Sequence, residues 1–510
     1  ITHFIVIECV YLYQHKTKCL SLWHFYRKYQ MAEQSLKDKT AKGLFWGGVS
    51  NGVQQLLGML FGIYLARILN AEDYGLVGML AIFTGIANTI INSGFTVALT
   101  NKQDVTHKDY NAVFWFSCFV GLLLYVVLFF SAPLIARFYN RSELISLSRV
   151  LFVGFFFSGI GTVAFTVMFK KLMVKEQAKI DITALVLSGL IGIVFALKGW
   201  AYWALVFQSV VYVSVSSVLK CVIAPWRPSL EFDFRPLRDM FSFSVKIFLT
   251  NIFQQINNNF FSVLLGRLFN ATWVGYYSQG YKWMLMGNTI LCGMVNSVAQ
   301  PVLVQVREER QRQCYIFRKM VRFAVFLSFP CMIGLAFVAK EFILITIGEK
   351  WMPSVSFLQL FCLLGTILPI WLLYTQLLIS YGKSNIYLLG NVSQGVIQLL
   401  LLYFTSPLGI ETMIKAYIST YVVSLFYWHY QAYKLIGISL KDIVFDVFPY
   451  AVITALSLGS AWLLTAAIHS VYLLFIGRVL LMGSIYITLL WLANCAILKE
   501  SLSFLRNKES

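Results

Sequence analysis

The chain has 510 residues, 59% of them hydrophobic and only 12% charged, with a formal net charge of +19 and a mean hydropathy of +0.72. Soluble proteins are about a quarter charged, so a single water-exposed globule is excluded and lipid must solvate part of this surface. The surplus Lys and Arg sit in alternate loops between apolar spans, which is the positive-inside pattern of a polytopic membrane protein and argues against a nucleic-acid partner.

Residues 1–30 contain no Met and hold only a short apolar run. Lys16, Lys18, Arg27 and Lys28 follow that run, the wrong order for a signal peptide. The expectation is that Met31 is the natural start and that residues 1–30 are a non-native or mis-annotated extension. Beyond it, apolar stretches begin near Gly43, Gly75, Ala112, Leu147, Ile180, Trp200, Phe241, Val274, Phe317, Val355, Ile386, Met413, Val447 and Val471. Each is continuous and close to the roughly 20 residues a bilayer requires, whereas barrel strands alternate over about ten. The spacing predicts an all-α polytopic protein of about 14 transmembrane helices. Lys170, Lys171, Lys175 and Lys179 in one loop, and Arg307, Arg310, Arg312, Arg318, Lys319 and Arg322 in another, place both termini in the cytoplasm. Arg137, Arg141 and Arg149 fall on the opposite side in this topology.

The chain also contains itself twice. Asn51–Gly75 and Asn251–Gly275 align without a gap at an offset of 200, with identity at Asn51/Asn251, Gln54/Gln254, Gln55/Gln255, Phe61/Phe261, Leu65/Leu265, Arg67/Arg267, Asn70/Asn270, Ala71/Ala271 and Gly75/Gly275. Asn88-Thr89-Ile90 recurs as Asn288-Thr289-Ile290 at the same offset. The shift carries predicted helix one onto helix seven, so the copies point the same way through the membrane. They are parallel repeats of the kind found in transporters. Two six-helix lobes follow, 31–233 and 234–436, with 437–510 holding two extra helices and a cytoplasmic tail.

No nucleotide-binding, zinc-protease or serine-hydrolase motif is present, which leaves a gradient or a partner as the energy source. The nine Cys form no CxxC pair and suggest neither disulfides nor a metal site. Predicted helix seven, Phe241 to Gly266, carries Lys246, Thr250, Asn251, Gln254, Gln255, Asn257, Asn258 and Asn259. Lipid cannot satisfy these groups. A few such amides glue helices together, but this number points to a water-filled cavity, and helix one offers Ser50, Asn51, Gln54 and Gln55 at matching positions. Lys282 lies about ten residues into helix eight, where a cation is costly and functional. Lys246 is about one turn inside helix seven and can snorkel, as can Arg478 in helix fourteen. Arg67 and Arg267 close helices one and seven as end-caps or ligand groups. No Asp or Glu sits at mid-membrane; Asp181 and Asp446 lie at span entrances. A cavity with amides and cations suits an anionic, polyhydroxylated substrate, since Lys holds phosphate.

Lys39–Asp104, Ala132–Asn140, Lys170–Ile180, Trp226–Leu230 and Val274–Trp283 together give a chain that resembles the bacterial polysaccharide exporters, including the Wzx-type lipid-linked oligosaccharide flippases of the colanic-acid and O-antigen kind. The resemblance covers most of the chain from Met31 onward, and its opening block is the most specific part. It implies the multidrug/oligosaccharidyl-lipid/polysaccharide exporter superfamily and two pseudo-symmetric six-helix lobes. The implied activity is flipping of undecaprenyl-diphosphate-linked sugar units to the outer leaflet of the inner membrane, for O-antigen, capsule or exopolysaccharide. By role, it assigns the diphosphate to Lys246 and Lys282. It also implies membrane lipids, a polysaccharide polymerase and assembly proteins as partners, with no cofactor beyond a coupling ion, H+ or Na+. The pattern departs at Asn92, where Asp is expected before Ser-Gly-Phe, and a carboxylate is lost there. The competing readings are an ion-coupled multidrug exporter, which would want acidic groups, and a lipid II flippase. A membrane glycan polymerase or ligase would require a large extracytoplasmic loop with paired catalytic residues.

Overall fold

A computed structural model of the protein describes residues 46–506 apart from 93, 103, 232 and 234. The proposed extension, 1–30, and the end of the tail lie outside the described residues. All regular secondary structure described is helical. The N-terminal lobe comprises α1 (Trp46–Ile68), α2 (Ala71–Met79), α3 (Ala81–Asn92), α4 (Gly94–Asn101), α5 (His107–Tyr139), α6 (Glu143–Leu151), α7 (Val153–Lys170), α8 (Val174–Leu197) and α9 (Trp203–Ile223). The C-terminal lobe comprises α10 (Arg235–Leu268), α11 (Ala271–Gln305), α12 (Arg310–Phe337), α13 (Ala339–Thr346), α14 (Ser354–Ser380), α15 (Ser384–Thr405) and α16 (Ile410–Ile436). The appended helices are α17 (Leu440–Leu464), α18 (Val471–Leu492) and α19 (Ala496–Arg506).

Among the described residues, nine helices are long and apolar enough to cross a membrane, or ten if the bent pair α1–α2 counts as one span. The long helices α10, α11 and α16 are more polar, for the same reason that α10 stood out in the sequence: amides and charges interrupt their apolar surface.

Local chemistry sets the helix starts. Asn70 and Asn270, identical in the repeat, are the N-caps of α2 and α11. The Asn270 side chain accepts from the Trp273 N–H at 3.1 Å, and the Asn70 N–H donates to Asp73 Oδ2 at 2.9 Å. Each satisfies a backbone or side-chain group that a helix start would leave without a partner. Thr106 with Asp109 and Ser439 with Asp442 form the capping boxes of α5 and α17.

In the N-terminal lobe α7 packs between α5 and α9, and α9 packs against α8; in the C-terminal lobe α14 is central, against α11, α12 and α16. The lobes meet where α2 crosses α11 and where α3 and α4 run along α10. The first crossing is reciprocal. A Cβ built on Gly75 would lie 1.7 Å from the Ala271 carbonyl oxygen, and one on Gly275 would lie 1.8 Å from that of Ala71. The repeat-related residues therefore touch each other across a pseudo-two-fold axis, and only glycine permits the approach. Around the crossing lies the largest apolar core, including Met79, Leu80, Phe261, Leu265, Trp283 and Trp351.

Candidate functional site

At the Asn70 end of the molecule the lobes are clasped by hydrogen bonds to helix C-termini, whose last carbonyls have no partner within their own helix. Arg67, at the end of α1, donates from Nε to the Thr346 carbonyl at 2.7 Å and from Nη2 to that of Ile345 at 2.6 Å. In return Lys350 Nζ donates to the Arg67 and Leu69 carbonyls at 2.9 and 2.7 Å, and buried Trp351 donates its Nε1–H to the Ala66 carbonyl at 2.8 Å. Burial pulls the Lys350 ammonium below its usual range, against the attraction of Asp73. Arg267, the repeat partner of Arg67, makes the matching contact: Nη1 donates to the Phe138 carbonyl at 2.7 Å and the guanidinium lies 5.4 Å from the Phe138 ring centroid. Both arginines thus join one lobe to the other, a role between the two readings of the sequence.

Away from the clasp the amides of α10 divide between two surfaces. Gln255 and Asn259 face the N-terminal lobe: a Cβ on Gly85 of α3 would lie 2.9 Å from Gln255 Oε1 and 3.3 Å from Asn259 Nδ2. Asn259 Nδ2 also donates to the Gln255 carbonyl at 2.9 Å. Gln254 and Asn257 turn instead to α15, where they line a small cavity of about 40 Å³ with Tyr387 and Asn391. There Gln398 Nε2 donates to the Asn257 carbonyl at 3.4 Å. Asn51 and Asn258 are exposed, Asn251 and Gln55 are half-buried, and Gln54 donates to Ser50 Oγ within α1 at 2.8 Å. The side chains of Lys246, Thr250 and Asn92 lie outside the described ones. Asn391, Gln394 and Gln398 do not stand out in the sequence, although their spacing of three and four marks one face of α15. A second cavity, of about 380 Å³, lies between the helices of the N-terminal lobe and α11; its walls are largely apolar, with Thr84, Asn88, Gln208, Ser209 and Ser278 as polar groups.

Lys282 lies roughly 16 Å along α11 from its N-terminus. Its ammonium is packed against the backbone of α1 at Gly62, where a Cβ would sit 2.5 Å from Nζ, and lies 5.6 Å from the Trp283 ring centroid. Among the described residues no carboxylate pairs with it. Four carboxylates on the helices are engaged elsewhere: Asp109 with Lys102, Asp181 with Lys220, Asp446 with Arg318 and Glu341 with Arg478. A half-buried cation without a carboxylate partner among the described residues can receive an anionic group. An apolar groove of about 690 Å³ runs between α11, α12, α14 and α19, lined by Val298, Val302, Ile316, Met320 and Phe323 among others.

The chain is 27% identical over 355 residues to the teichuronic acid biosynthesis protein TuaB of Bacillus subtilis (strain 168), covering 69% of this chain and 73% of that protein. It is 22% identical over 364 residues to the lipopolysaccharide biosynthesis protein WzxC of Escherichia coli (strain K12), covering 70% and 73%. Its fold is similar to that of the lipid II flippase MurJ in an inward closed conformation, with a TM-score of 0.70 at 13% identity over 87% of this chain and 97% of that one. It is also similar to an inward-facing multidrug resistance MATE family transporter of the MOP superfamily, with a TM-score of 0.58 at 16% identity over 76% and 96%. Residues 64–356, more than half of the sequence, match the polysaccharide biosynthesis protein family, and the chain belongs to that family.

Proposed function

We propose that the protein is a flippase that moves undecaprenyl-diphosphate-linked oligosaccharide repeat units from the cytoplasmic to the outer leaflet by alternating access, for the synthesis of a surface polysaccharide. The observation that carries this reading is Lys282, a half-buried cation without a carboxylate partner among the described residues, packed against α1 of the other lobe at Gly62, where the lobes are clasped at one end by contacts to helix termini. Family membership and the MurJ-like and MATE-like fold support it.

In this reading the chain crosses the inner membrane 14 times with both termini in the cytoplasm, which makes the clasped end the outer one. Substrate enters from the cytoplasmic side. Its diphosphate meets Lys282 and Lys246, because a charge-assisted bond from ammonium to phosphate replaces the lost hydration of both. Its sugar hydroxyls meet the amides of α1 and α10 and the polar groups around Gln208. The lipid tail stays in the bilayer beside the apolar groove of α11 and α12. Breaking the clasp and closing the opposite end delivers the sugars outside. A polymerase then consumes the flipped unit.

A lipid II flippase on the same fold is the nearer alternative. An ion-coupled drug exporter, which would want acidic groups, is disfavoured by the ion pairs that occupy Asp109, Asp181, Asp446 and Glu341. Deleting the gene and quantifying both surface glycan and its lipid-linked precursor tests the proposal. The expected result is loss of surface polysaccharide, with lipid-linked repeat units accumulating and accessible only from the cytoplasmic side. Unchanged glycan together with new sensitivity to cationic drugs overturns it in favour of drug export.

A further inference from the structure

The two inter-lobe clasps are built alike but are not supported alike. Arg267 grips the carbonyl of Phe138, near the end of α5, and Arg67 grips those of Ile345 and Thr346, at the end of α13. Four residues before Phe138 stands Leu134, 67% exposed on the outside of the lobe. Four residues before Ile345 stands Glu341, only 5% exposed. It accepts from Arg478 Nη1 of α18 at 2.8 Å. The Arg478 guanidinium also lies over the Phe337 ring, 4.6 Å from its centroid. On neighbouring helices, Arg318 of α12 donates to both carboxylate oxygens of Asp446 of α17, at 2.6 and 3.1 Å, and Lys319 pairs with Glu500 of α19. The appended helices are therefore tied to the C-terminal lobe by ion pairs. One of those ties ends on α13, the short helix whose C-terminus holds Arg67.

We infer that α18 acts as a latch on the outer clasp: the Arg478–Glu341 ion pair fixes α13 in the place where its last carbonyls meet Arg67, so that the appended helices set how readily the lobes part. The reasoning is positional. An isolated helix as short as α13 is marginal by itself, and its orientation depends on what its sides touch. Its inner side packs Ala339 and Ile343 into the core. Its other polar anchor is Arg478. Glu341 is buried and Arg478 half-buried, so the pair is less screened than a surface pair, and the loss of the arginine strands a buried carboxylate without compensation. The N-terminal clasp has no such attachment at Leu134. The lobes should therefore separate first at whichever clasp is less restrained, and α18 decides that for Arg67. Glu341 and Arg478 are positioning residues in this account, since neither touches substrate.

The test measures the distance between spin labels at Lys198→Cys and Glu411→Cys, two exposed positions beyond α8 and on α16, in full-length protein whose own cysteines have been replaced. This readout depends neither on the cargo nor on which way the protein faces, so it stands apart from the flippase proposal. A single short-distance population is expected for the parent. Glu341→Gln and Arg478→Gln should each enlarge the long-distance population by about tenfold, and the exchange Glu341→Arg with Arg478→Glu should restore the parent distribution. Glu341→Asp, which keeps the charge but shortens its reach, is the milder variant if the amide does not fold, and it should raise the same population. An unchanged distribution in a folded Glu341→Gln or Glu341→Asp protein overturns the latch, as does failure of the charge exchange to restore it.

Discussion

Gly75→Ala and Gly275→Ala should each force the lobes apart at the clasped end and abolish export. At both positions the atoms that a new methyl would meet belong to the backbone: the carbonyl oxygen and carbon and the Cα of Ala271 for Gly75, and those of Ala71 for Gly275. No rotamer change can relieve an overlap with main chain, so one helix must move. Overpacking of ordinary cores costs roughly 1–3 kcal/mol. This overlap is deeper and falls on the contact that joins the lobes, so the loss should be at or above the top of that range. Because the two contacts are reciprocal, the substitutions should have similar effects, and the double variant should cost less than their sum. Thermal unfolding in detergent, combined with complementation of surface glycan in a deletion strain, checks this. Parent-like stability and export from either variant would show that the close crossing is dispensable. Gly62 provides the contrast. A methyl there meets only Lys282 Nζ and Cε, the far end of a flexible chain, so Gly62→Ala should fold well and affect transport through the displaced lysine.

Lys282 itself should separate stability from function. Lys282→Met removes the charge and nearly keeps the volume. Freed from the cost of holding an ammonium in an apolar setting, the variant should unfold at a temperature equal to or above that of the parent. Export should fall by about 10- to 100-fold, since a hydrogen bond to a charged group contributes about 1.5–3 kcal/mol. Lys282→Ala should lose export equally, and Lys282→Arg should retain part of it. The readout is surface glycan at matched protein levels in the membrane. Full export by Lys282→Met or Lys282→Ala would refute the assigned role.

Much of this architecture was legible in the sequence because membrane folds write their helices as long apolar runs. The repeat was legible too, but its meaning was not. Identity at an offset of 200 shows that Asn70 and Asn270, or Gly75 and Gly275, share a job. It does not reveal that the asparagines cap two helices which the glycines let cross between the lobes. The amides of α10 point in the sequence to one cavity because spacing along a helix says nothing about its neighbours. With α3 on one side and α15 on the other, they divide into Gln255 with Asn259 and Gln254 with Asn257. Arg478 was ambiguous because its partner, Glu341, is 137 residues away, and only packing can pair two such distant charges. Lys282 was the easier case, since a cation midway along an apolar run is conspicuous whatever surrounds it.

The crossing of α2 and α11 has the form of an isologous dimer interface whose two subunits have come to share one chain. In such an interface each residue faces its own counterpart's surroundings. Any change that alters one half of the contact alters the shape the other half must fit. The interior of each lobe is free of that constraint and can diverge toward its own task, as Glu341 has where the other lobe keeps Leu134. Self-complementarity at the seam, rather than common descent alone, explains why the matching residues Ala71, Gly75, Ala271 and Gly275 lie where the halves touch.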